Sequence, residues 1–178
     1  PVMLVGRAGS GKNHTLEQVA EALDLDFYFS NAVTQEYTLK GFIDANGHFH
    51  ETQFYKAFSQ GGMFFLDEMD ASIPEALIVL NSAIANGYFD FPIGRVRKHE
   101  RFRVVSASNT WGTGANAVYI GRNQLDGATL DRFVQIEFDY DTELERGFTS
   151  DNDLYEFTID LRKACLLYTS DAADEYDR

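Results

Sequence analysis

The chain has 178 residues, which is enough for one domain of ordinary size with a real hydrophobic core. Hydrophobic residues make up 44% and charged residues 24%, the balance of a soluble globular protein, and no apolar run approaches the ~20 residues of a membrane-spanning helix. The net charge of −13 argues against general affinity for nucleic acid or anionic membranes over the whole surface, although a local basic patch could exist.

The chain opens with a pattern typical of a strand, a glycine loop and a helix. The apolar run "VMLV" (2–5) predicts a strand buried on both faces. From Lys12 to Leu23 apolar residues recur at helical spacing, which predicts a helix. Between them, "GRAGSGKN" nearly matches the phosphate-binding loop G-x-x-x-x-G-K-[ST]. In such a loop, successive backbone N–H groups and the helix N-terminus surround a phosphate.

The last position of this loop departs from the motif. Asn13 stands where Ser or Thr would give Mg²⁺ a hydroxyl oxygen. Its amide carbonyl also offers a neutral oxygen, but the longer side chain could shift the metal or bind it through water. We predict that the loop binds phosphate, with Lys12 reaching the β- and γ-phosphates; the alternative is a tight strand–helix turn. The predicted nucleotide-binding residues are Gly6, Arg7, Ala8, Gly9, Ser10, Gly11, Lys12 and Asn13.

A second strand and a hairpin are predicted in the next segment. "DFYFS" reads as a strand, and Asn46-Gly47 favours a type I′ turn within a hairpin over residues 41–51. His48 and His50 alternate on one face of that hairpin. They are a weak candidate for a metal site, because the sequence supplies no third ligand.

The run "MFFLDE" (63–68) predicts another buried strand, with an acidic end. Ligands of open parallel sheets bind outside the carboxyl ends of the strands, so these acids and the glycine loop point into one crevice. Asp67 is predicted to hold Mg²⁺, directly or through water, and Glu68 to orient and deprotonate an attacking water. The alternative is that the acids only begin the next helix, where carboxylates suit the helix dipole, and Asp70 is assigned to that role.

The remaining elements continue the alternation of strands and helices. Ser72 and Glu75 form a capping box before a predicted helix, and "GYFDFPIGRVRKHERF" reads as a second hairpin. "RVVSASN" (103–109) and "FVQIEF" (133–138) are the fourth and fifth strand candidates. Strands that alternate with helices imply an α/β fold with a parallel sheet.

Both ends of the chain are expected to differ from those of the natural protein. The first residues already form a predicted strand, with no initiator Met. At the other end, "CLLYTSDAADE" matches the translation of a transposon-type sequencing-library adapter, so residues 165–178 are expected to be non-native and Cys165 to carry no functional information. The chain is expected to be a fragment truncated at both ends. It has no signal-peptide pattern, so its expected location is cytoplasmic.

Four motifs occur in an order and spacing that resemble one protein family. "GRAGSGKN", "FFLDE", "SASNT" and "LDRF" are similar to the motifs of AAA+ ATPases, and the chain looks like the MoxR and dynein-related branch, which includes NorQ/CbbQ-type activases. The resemblance implies a P-loop NTPase fold with a five-stranded parallel sheet sandwiched by helices and with β-hairpin inserts. It assigns residues 1–150 to the AAA+ core and residues 151–164 to the start of an incomplete C-terminal helical lid.

The resemblance also implies roles for further polar residues. Asn109, at the end of the fourth strand, would position the hydrolytic water against the γ-phosphate. Arg132 would be the arginine finger that enters a neighbouring subunit's site, a contact worth about 10³–10⁵ in rate in related systems. The alternative for Arg132 is an ordinary surface arginine. Arg122 is a weaker second candidate for a contact in trans.

The function implied by the resemblance is Mg²⁺-dependent ATP hydrolysis by a self-associating ring, expected to be a hexamer, that remodels a protein client. Two alternatives remain open. One is a nucleotide-binding scaffold with weak hydrolysis, suggested by Asn13. The other is a nucleic-acid motor or loader that uses the basic second hairpin, although a solvated hairpin that balances local acids is the favoured explanation of that charge. The basic residues are Arg95, Arg97, Lys98, Arg101 and Arg103.

Overall fold

The computed structural model describes residues 1–176, with side-chain surroundings for residues 1–165. In chain order, the strands are β1 (Val2–Val5), β2 (Phe27–Ser30), β3 (Phe42–Ile43), β4 (Phe49–His50), β5 (Gly62–Leu66), β6 (Tyr88–Phe91), β7 (Gly94–Arg97), β8 (Phe102–Ser108) and β9 (Val134–Glu137). The helices are α1 (Lys12–Ala22), α2 (Tyr37–Lys40), α3 (Gln53–Gln60), α4 (Pro74–Ala85), α5 (Gly127–Leu130), α6 (Thr142–Phe148) and α7 (Asn152–Tyr176), and a 3₁₀ turn covers Met69–Ala71. None of these helices combines the length and the apolar character needed to cross a membrane. Of the segment expected to be non-native, the side chains after Cys165 and all of residues 177–178 lie outside this description.

A five-stranded parallel sheet forms the centre of the fold, with the strand order β2-β5-β8-β1-β9. Helices cover both faces of the sheet, so its central strands are apolar on both sides, and all five residues of β5 are buried. The register aligns the carboxyl ends of these strands, since Val5 pairs with Ser108 and Leu66 with Ser106. The loops that follow β1, β5 and β8 therefore meet at one edge of the sheet. This architecture confirms the predicted α/β fold.

Two hydrophobic clusters pack on opposite faces of the sheet. Successive residues of a strand point to opposite faces, so Phe64 of β5 joins one cluster and Phe65 joins the other. In the smaller cluster, Leu16 and Ala20 of α1 pack against the sheet. In the larger cluster, the ring of Phe54 from α3 lies 5.1 Å from that of Phe64. The packing of α1 fixes the loop that precedes it against the carboxyl edge of the sheet.

The β3–β4 hairpin differs from the predicted type I′ turn. A type I′ turn needs two residues with positive φ, but within this loop only Gly47 has one, at 83°. The loop is wider, because Asp44 N donates to His48 O at 2.9 Å. The carboxylate of Asp44 also accepts from the backbone N–H groups of Asn46 and His48, both at 2.9 Å. This side chain stabilises a three-residue loop in place of the two-residue turn.

The capping box predicted before α4 does not form. α4 begins at Pro74 after Ile73, and no side chain caps it. The hydroxyl of Ser72 is fully buried and accepts a 2.9 Å hydrogen bond from Val33 N, which lies in the segment after β2. A tertiary contact has therefore replaced the local one.

Candidate functional site

The loop between β1 and α1 combines a close backbone approach with an uncapped helix N-terminus. A Cβ atom at Gly6 would lie 1.8 Å from the carbonyl oxygen of Phe138, so only glycine fits beside the end of β9. Gly9 and Gly11 have φ of 78° and 91°, in the left-handed region that favours glycine. No side chain caps α1 at Gly11, so its first N–H groups have no side-chain acceptor. Such a helix end after a glycine loop attracts anions.

Lys12 is buried inside this loop, with 6% of its surface exposed. Its ammonium group donates to the carbonyl oxygens of Gly6 and Arg7, both at 2.7 Å, and lies 3.3 Å from the carboxamide of Asn109. Burial lowers the pKa of Lys12, and the nearby carboxylates, Asp67 first among them, oppose that shift. The cation is thus held at the point where the loop meets the end of β8.

The two predicted magnesium residues meet at the mouth of the loop. The side-chain nitrogen of Asn13 donates to Asp67 Oδ2 at 2.6 Å, across 54 positions of sequence. Carboxylate and amide oxygens are hard donors that suit Mg²⁺, which proteins often hold with one or two carboxylates and the phosphates of a substrate. The amide nitrogen cannot be a ligand, however. Asn13 would have to rotate its carboxamide to offer oxygen to a metal, at the loss of its bond to Asp67.

Glu68 follows Asp67 in a sharp turn after β5. Its backbone is left-handed, with φ 50° and ψ 44°, a conformation that costs a non-glycine residue about 1–3 kcal/mol. The turn leaves 47% of its side chain exposed, and Glu68 Oε1 accepts from Arg122 Nη2 at 3.0 Å. The predicted water-activating carboxylate is therefore beside the loop, as expected, but it is paired with an arginine of its own chain.

Asp70 has a larger role than the helix-starting one assigned from the sequence. It does lie in a short helical turn, but it is fully buried. Its Oδ2 accepts from the backbone N–H groups of Asn109 at 3.2 Å and Thr110 at 2.9 Å, and from the Thr110 hydroxyl at 2.9 Å. Arg122 Nε lies 3.7 Å away. Asp70 thereby ties the end of β5 to the end of β8, which fixes Asn109 relative to Glu68.

Asn109 lies between the phosphate loop and Arg122. In the carboxamide orientation that satisfies both neighbours, its nitrogen donates to Gly6 O at 3.1 Å and its oxygen accepts from Arg122 Nη2 at 2.8 Å. Arg122, proposed from the sequence as a contact in trans, is instead 12% exposed and bonded within its own chain. The sequence pattern did not predict the position of Arg122 beside Glu68 and Asn109, because Arg122 lies in the irregular segment 112–126.

A cleft of about 420 Å³ lies at the carboxyl edge of the sheet, lined by the glycine loop and by side chains that follow β5 and β8. That volume falls within the range of small-molecule sites. Arg132 does not line it, and its Nη1 donates to the carbonyl oxygen of Ala128 in α5. The lining residues are Ala8, Gly9, Ser10, Gly11, Lys12, Asn13, His14, Asp67, Glu68 and Asn109.

The basic residues of the second hairpin do not form a continuous basic surface. Arg95 pairs with Asp90 at 2.9 Å and lies over the ring of Tyr88. Arg101 donates to the carbonyl oxygen of Asp24, in the turn after α1. These contacts fit the favoured explanation, in which the arginines balance local acids.

One of the two histidines of the first hairpin has a hydrogen-bonding partner for its ring. His50 Nε2 lies 2.9 Å from Asp44 Oδ2, a bond that lowers the pKa of Asp44, and His48 Nδ1 lies 3.8 Å from the same oxygen. Over the described part of the chain, no group of three or more His, Cys, Asp or Glu side chains is arranged to hold a metal ion.

Comparison with known proteins gives matches over most of the chain. Residues 1–133 match the family model of the AAA domain, dynein-related subfamily. Uncharacterized proteins of Staphylococcus aureus strains USA300 and NCTC 8325 are each 30% identical, over 78% of this chain and 55% of their own length. The chain thus spans about half the length of the curated relatives it matches.

Solved structures share the fold at low sequence identity. NtrX from Brucella abortus matches with a TM-score of 0.61 and 19% identity, over 77% of this chain and 32% of that one. The same protein in complex with ATP matches with a TM-score of 0.56 and 19% identity, over 77% of this chain and 31% of that one. A RuvB variant from Thermotoga maritima matches with a TM-score of 0.54 and 21% identity, over 80% of this chain and 40% of that one.

Proposed function

Because the chain belongs to the dynein-related subfamily of the AAA domain family, we propose that it binds ATP with Mg²⁺ and hydrolyses the γ-phosphate anhydride. The observation that carries the proposal is the 2.6 Å contact between Asn13 and Asp67, which unites the start of α1 with the end of β5 at one cleft. NtrX, which shares the fold, has been crystallised in complex with ATP.

The phosphate loop and Lys12 would hold the triphosphate. The backbone N–H groups at the start of α1 provide fixed donors, and the ammonium group of Lys12 would exchange its carbonyl partners for phosphate oxygens. Asp67, with the carboxamide oxygen of Asn13, would hold Mg²⁺. When bound, the metal ion would neutralise charge that develops on the phosphates.

Glu68 and Asn109 would act on the attacking water. Glu68 Oε1 is bonded to Arg122, so Oε2 is the oxygen that would accept a proton from water. Asn109 is fixed by Asp70 on its backbone and by Gly6 and Arg122 on its side chain. It would orient the water against the γ-phosphate once one of those side-chain bonds is exchanged.

The finer proposals concern assembly and domains. We place the chain in the MoxR-like, NorQ/CbbQ-like branch, as a ring-forming activase that remodels a protein client, with Arg132 acting on a neighbouring subunit's site. Arg132 is supported in this role by its position away from the cleft of its own chain. Residues 1–150 would form the ATPase core, 151–164 the start of a helical lid, and 165–178 a non-native segment. Sedimentation of the full-length parent with and without ATP measures assembly.

Glu68→Gln tests the proposed hydrolysis. The amide keeps the size of the side chain but cannot accept a proton, so hydrolysis should fall by about 10²–10⁴ while ATP still binds. Phosphate release and equilibrium ATP binding are measured on the same preparations. Glu75→Gln is the matched control, because Glu75 is exposed on α4, outside the cleft. Equal phosphate release by the parent and Glu68→Gln would refute the role of Glu68.

A nucleotide-binding scaffold is a second candidate, and one observation favours it. The N–H group of Asn13, and not its oxygen, faces Asp67, so the metal site starts from an arrangement without the usual hydroxyl. Background-level phosphate release by the parent, with ATP still bound, would select this candidate over the ATPase.

A further inference from the structure

The segment 112–126, between β8 and α5, carries Arg122 to the nucleotide cleft. The segment is tethered on both sides of that residue. Tyr119 Oη accepts from the backbone N–H of Ala8 in the phosphate loop at 3.1 Å, and Asn123 N donates to Asp70 O at 2.7 Å. Between these two points, Arg122 has little freedom except in its own side chain.

The guanidinium group of Arg122 bonds to the two side chains that would act on water. Its Nη2 lies 3.0 Å from Glu68 Oε1 and 2.8 Å from the amide oxygen of Asn109. Both partners line the cleft, whereas Arg122 is not among its lining residues and has 12% of its side chain exposed. One side-chain oxygen of Glu68 and the amide oxygen of Asn109 are therefore already hydrogen-bonded to a cation of the same chain.

Two cations flank the carboxamide of Asn109. Lys12 Nζ lies 3.3 Å from it on one side, and Arg122 Nη2 lies 2.8 Å from it on the other. Two like charges directed at one amide repel each other. A polyanion that contacted both would stabilise the pair.

We propose that Arg122 binds the γ-phosphate of ATP within its own chain and gives up Glu68 in exchange. This inference rests on the proposed function. A guanidinium group matches phosphate geometry with two parallel N–H bonds, and a terminal phosphate carries more charge than one carboxylate. The exchange frees Glu68 to accept a proton from water. ADP has no γ-phosphate, so it leaves the Arg122–Glu68 pair in place, and Arg122 becomes the residue that distinguishes ATP from ADP.

Equilibrium binding separates this role from hydrolysis. We would titrate the parent and Arg122→Ala with Mg²⁺-ADP and with the hydrolysis-resistant β,γ-imido analogue of ATP. The variant should bind the analogue about 10- to 100-fold more weakly, the loss of one charge-assisted contact, and ADP within about twofold of the parent. Arg97→Ala is the matched control, since Arg97 is exposed on β7, and both of its affinities should equal those of the parent.

The affinity for ADP also reports whether each variant is folded. Arg122→Lys keeps the charge but loses the planar guanidinium group. It should weaken the binding of the analogue by less than Arg122→Ala does. Equal weakening of both nucleotides would mean that Arg122 only supports the fold, and unchanged binding of both would remove it from the site. Either result overturns the inference while leaving the ATPase proposal standing. A parent that binds neither nucleotide would instead refute the proposed function, and this inference with it.

Discussion

Two clefts of about 420 Å³ lie at opposite ends of the central sheet, and they differ in how their polar groups are arranged. The carboxyl-end cleft gathers Lys12, Asp67 and Glu68 from elements remote in the chain, with Asp67 bonded to Asn13 and Glu68 bonded to Arg122. The amino-end cleft lies before β2, β5 and β8, and its lining includes Asp24, His99 and Arg101. There Arg101 donates to the carbonyl oxygens of Leu23 and Asp24, which follow α1.

Because the two clefts have the same volume, volume alone does not identify a site in this molecule. In the carboxyl-end cleft, Lys12, Asp67 and Glu68 lie beside a glycine loop and an uncapped helix N-terminus, an arrangement that supports the proposed binding of an anion together with a metal. In the amino-end cleft, Arg101 caps the C-terminus of α1, where a positive charge suits the helix dipole. The side chain of Asp24 is almost fully exposed there.

The largest expected effect is that of removing Asp70. Asp70→Ala removes the buried acceptor of the Thr110 hydroxyl and of the Asn109 and Thr110 N–H groups, together with the carboxylate 3.7 Å from Arg122 Nε, so the free energy of unfolding should fall by about 3–5 kcal/mol. Denaturant unfolding measures the change. Asp24→Ala, in the other cleft, should stay within about 0.5 kcal/mol of the parent, because its side chain is exposed. Similar losses for the two variants would show that Asp70 does not join the strand ends.

A smaller effect is expected from restoring the hydroxyl of the phosphate-loop motif. Asn13→Thr offers Mg²⁺ an oxygen without first breaking a bond to Asp67, so the Mg²⁺ concentration that half-saturates ATP hydrolysis should fall by about 3- to 10-fold. Gln60→Thr makes a similar amide-to-hydroxyl change in the amino-end cleft and should leave that concentration unchanged. An Asn13→Thr variant with the parent's Mg²⁺ dependence would remove Asn13 from the metal site.

The sheet and the phosphate loop could be predicted because their signals are local. The run "VMLV" ends at glycine, and "MFFLDE" is apolar on both faces until its acids, so each strand and its carboxyl end are visible in a few residues. The rule that ligands bind beyond the carboxyl ends of parallel strands then placed Lys12 and Asp67 at one cleft. The structure brings them together as predicted.

The rest of the site depends on contacts between distant segments. Asp70 and Ser72 fit local helix-start patterns, but the fold buries both and gives their oxygens to partners 40 and 39 positions away. Arg122 lies in a segment without periodicity, so tertiary contacts such as those of Tyr119 and Asn123 determine where it points. At Asn46-Gly47, the side chain of Asp44 changed the turn type. In each case a polar side chain forms hydrogen bonds that the spacing pattern does not encode.

The most direct test of the account is equilibrium binding of Mg²⁺-ATP to the parent, Lys12→Ala and Arg101→Ala, which removes the cation of each cleft in turn. Lys12→Ala should weaken ATP binding by about 10- to 100-fold, because a charge-assisted contact with the phosphates is lost. Arg101→Ala should bind ATP within about twofold of the parent. Equal affinities for the parent and Lys12→Ala, or a loss confined to Arg101→Ala, would contradict the placement of the triphosphate between the glycine loop and Asp67.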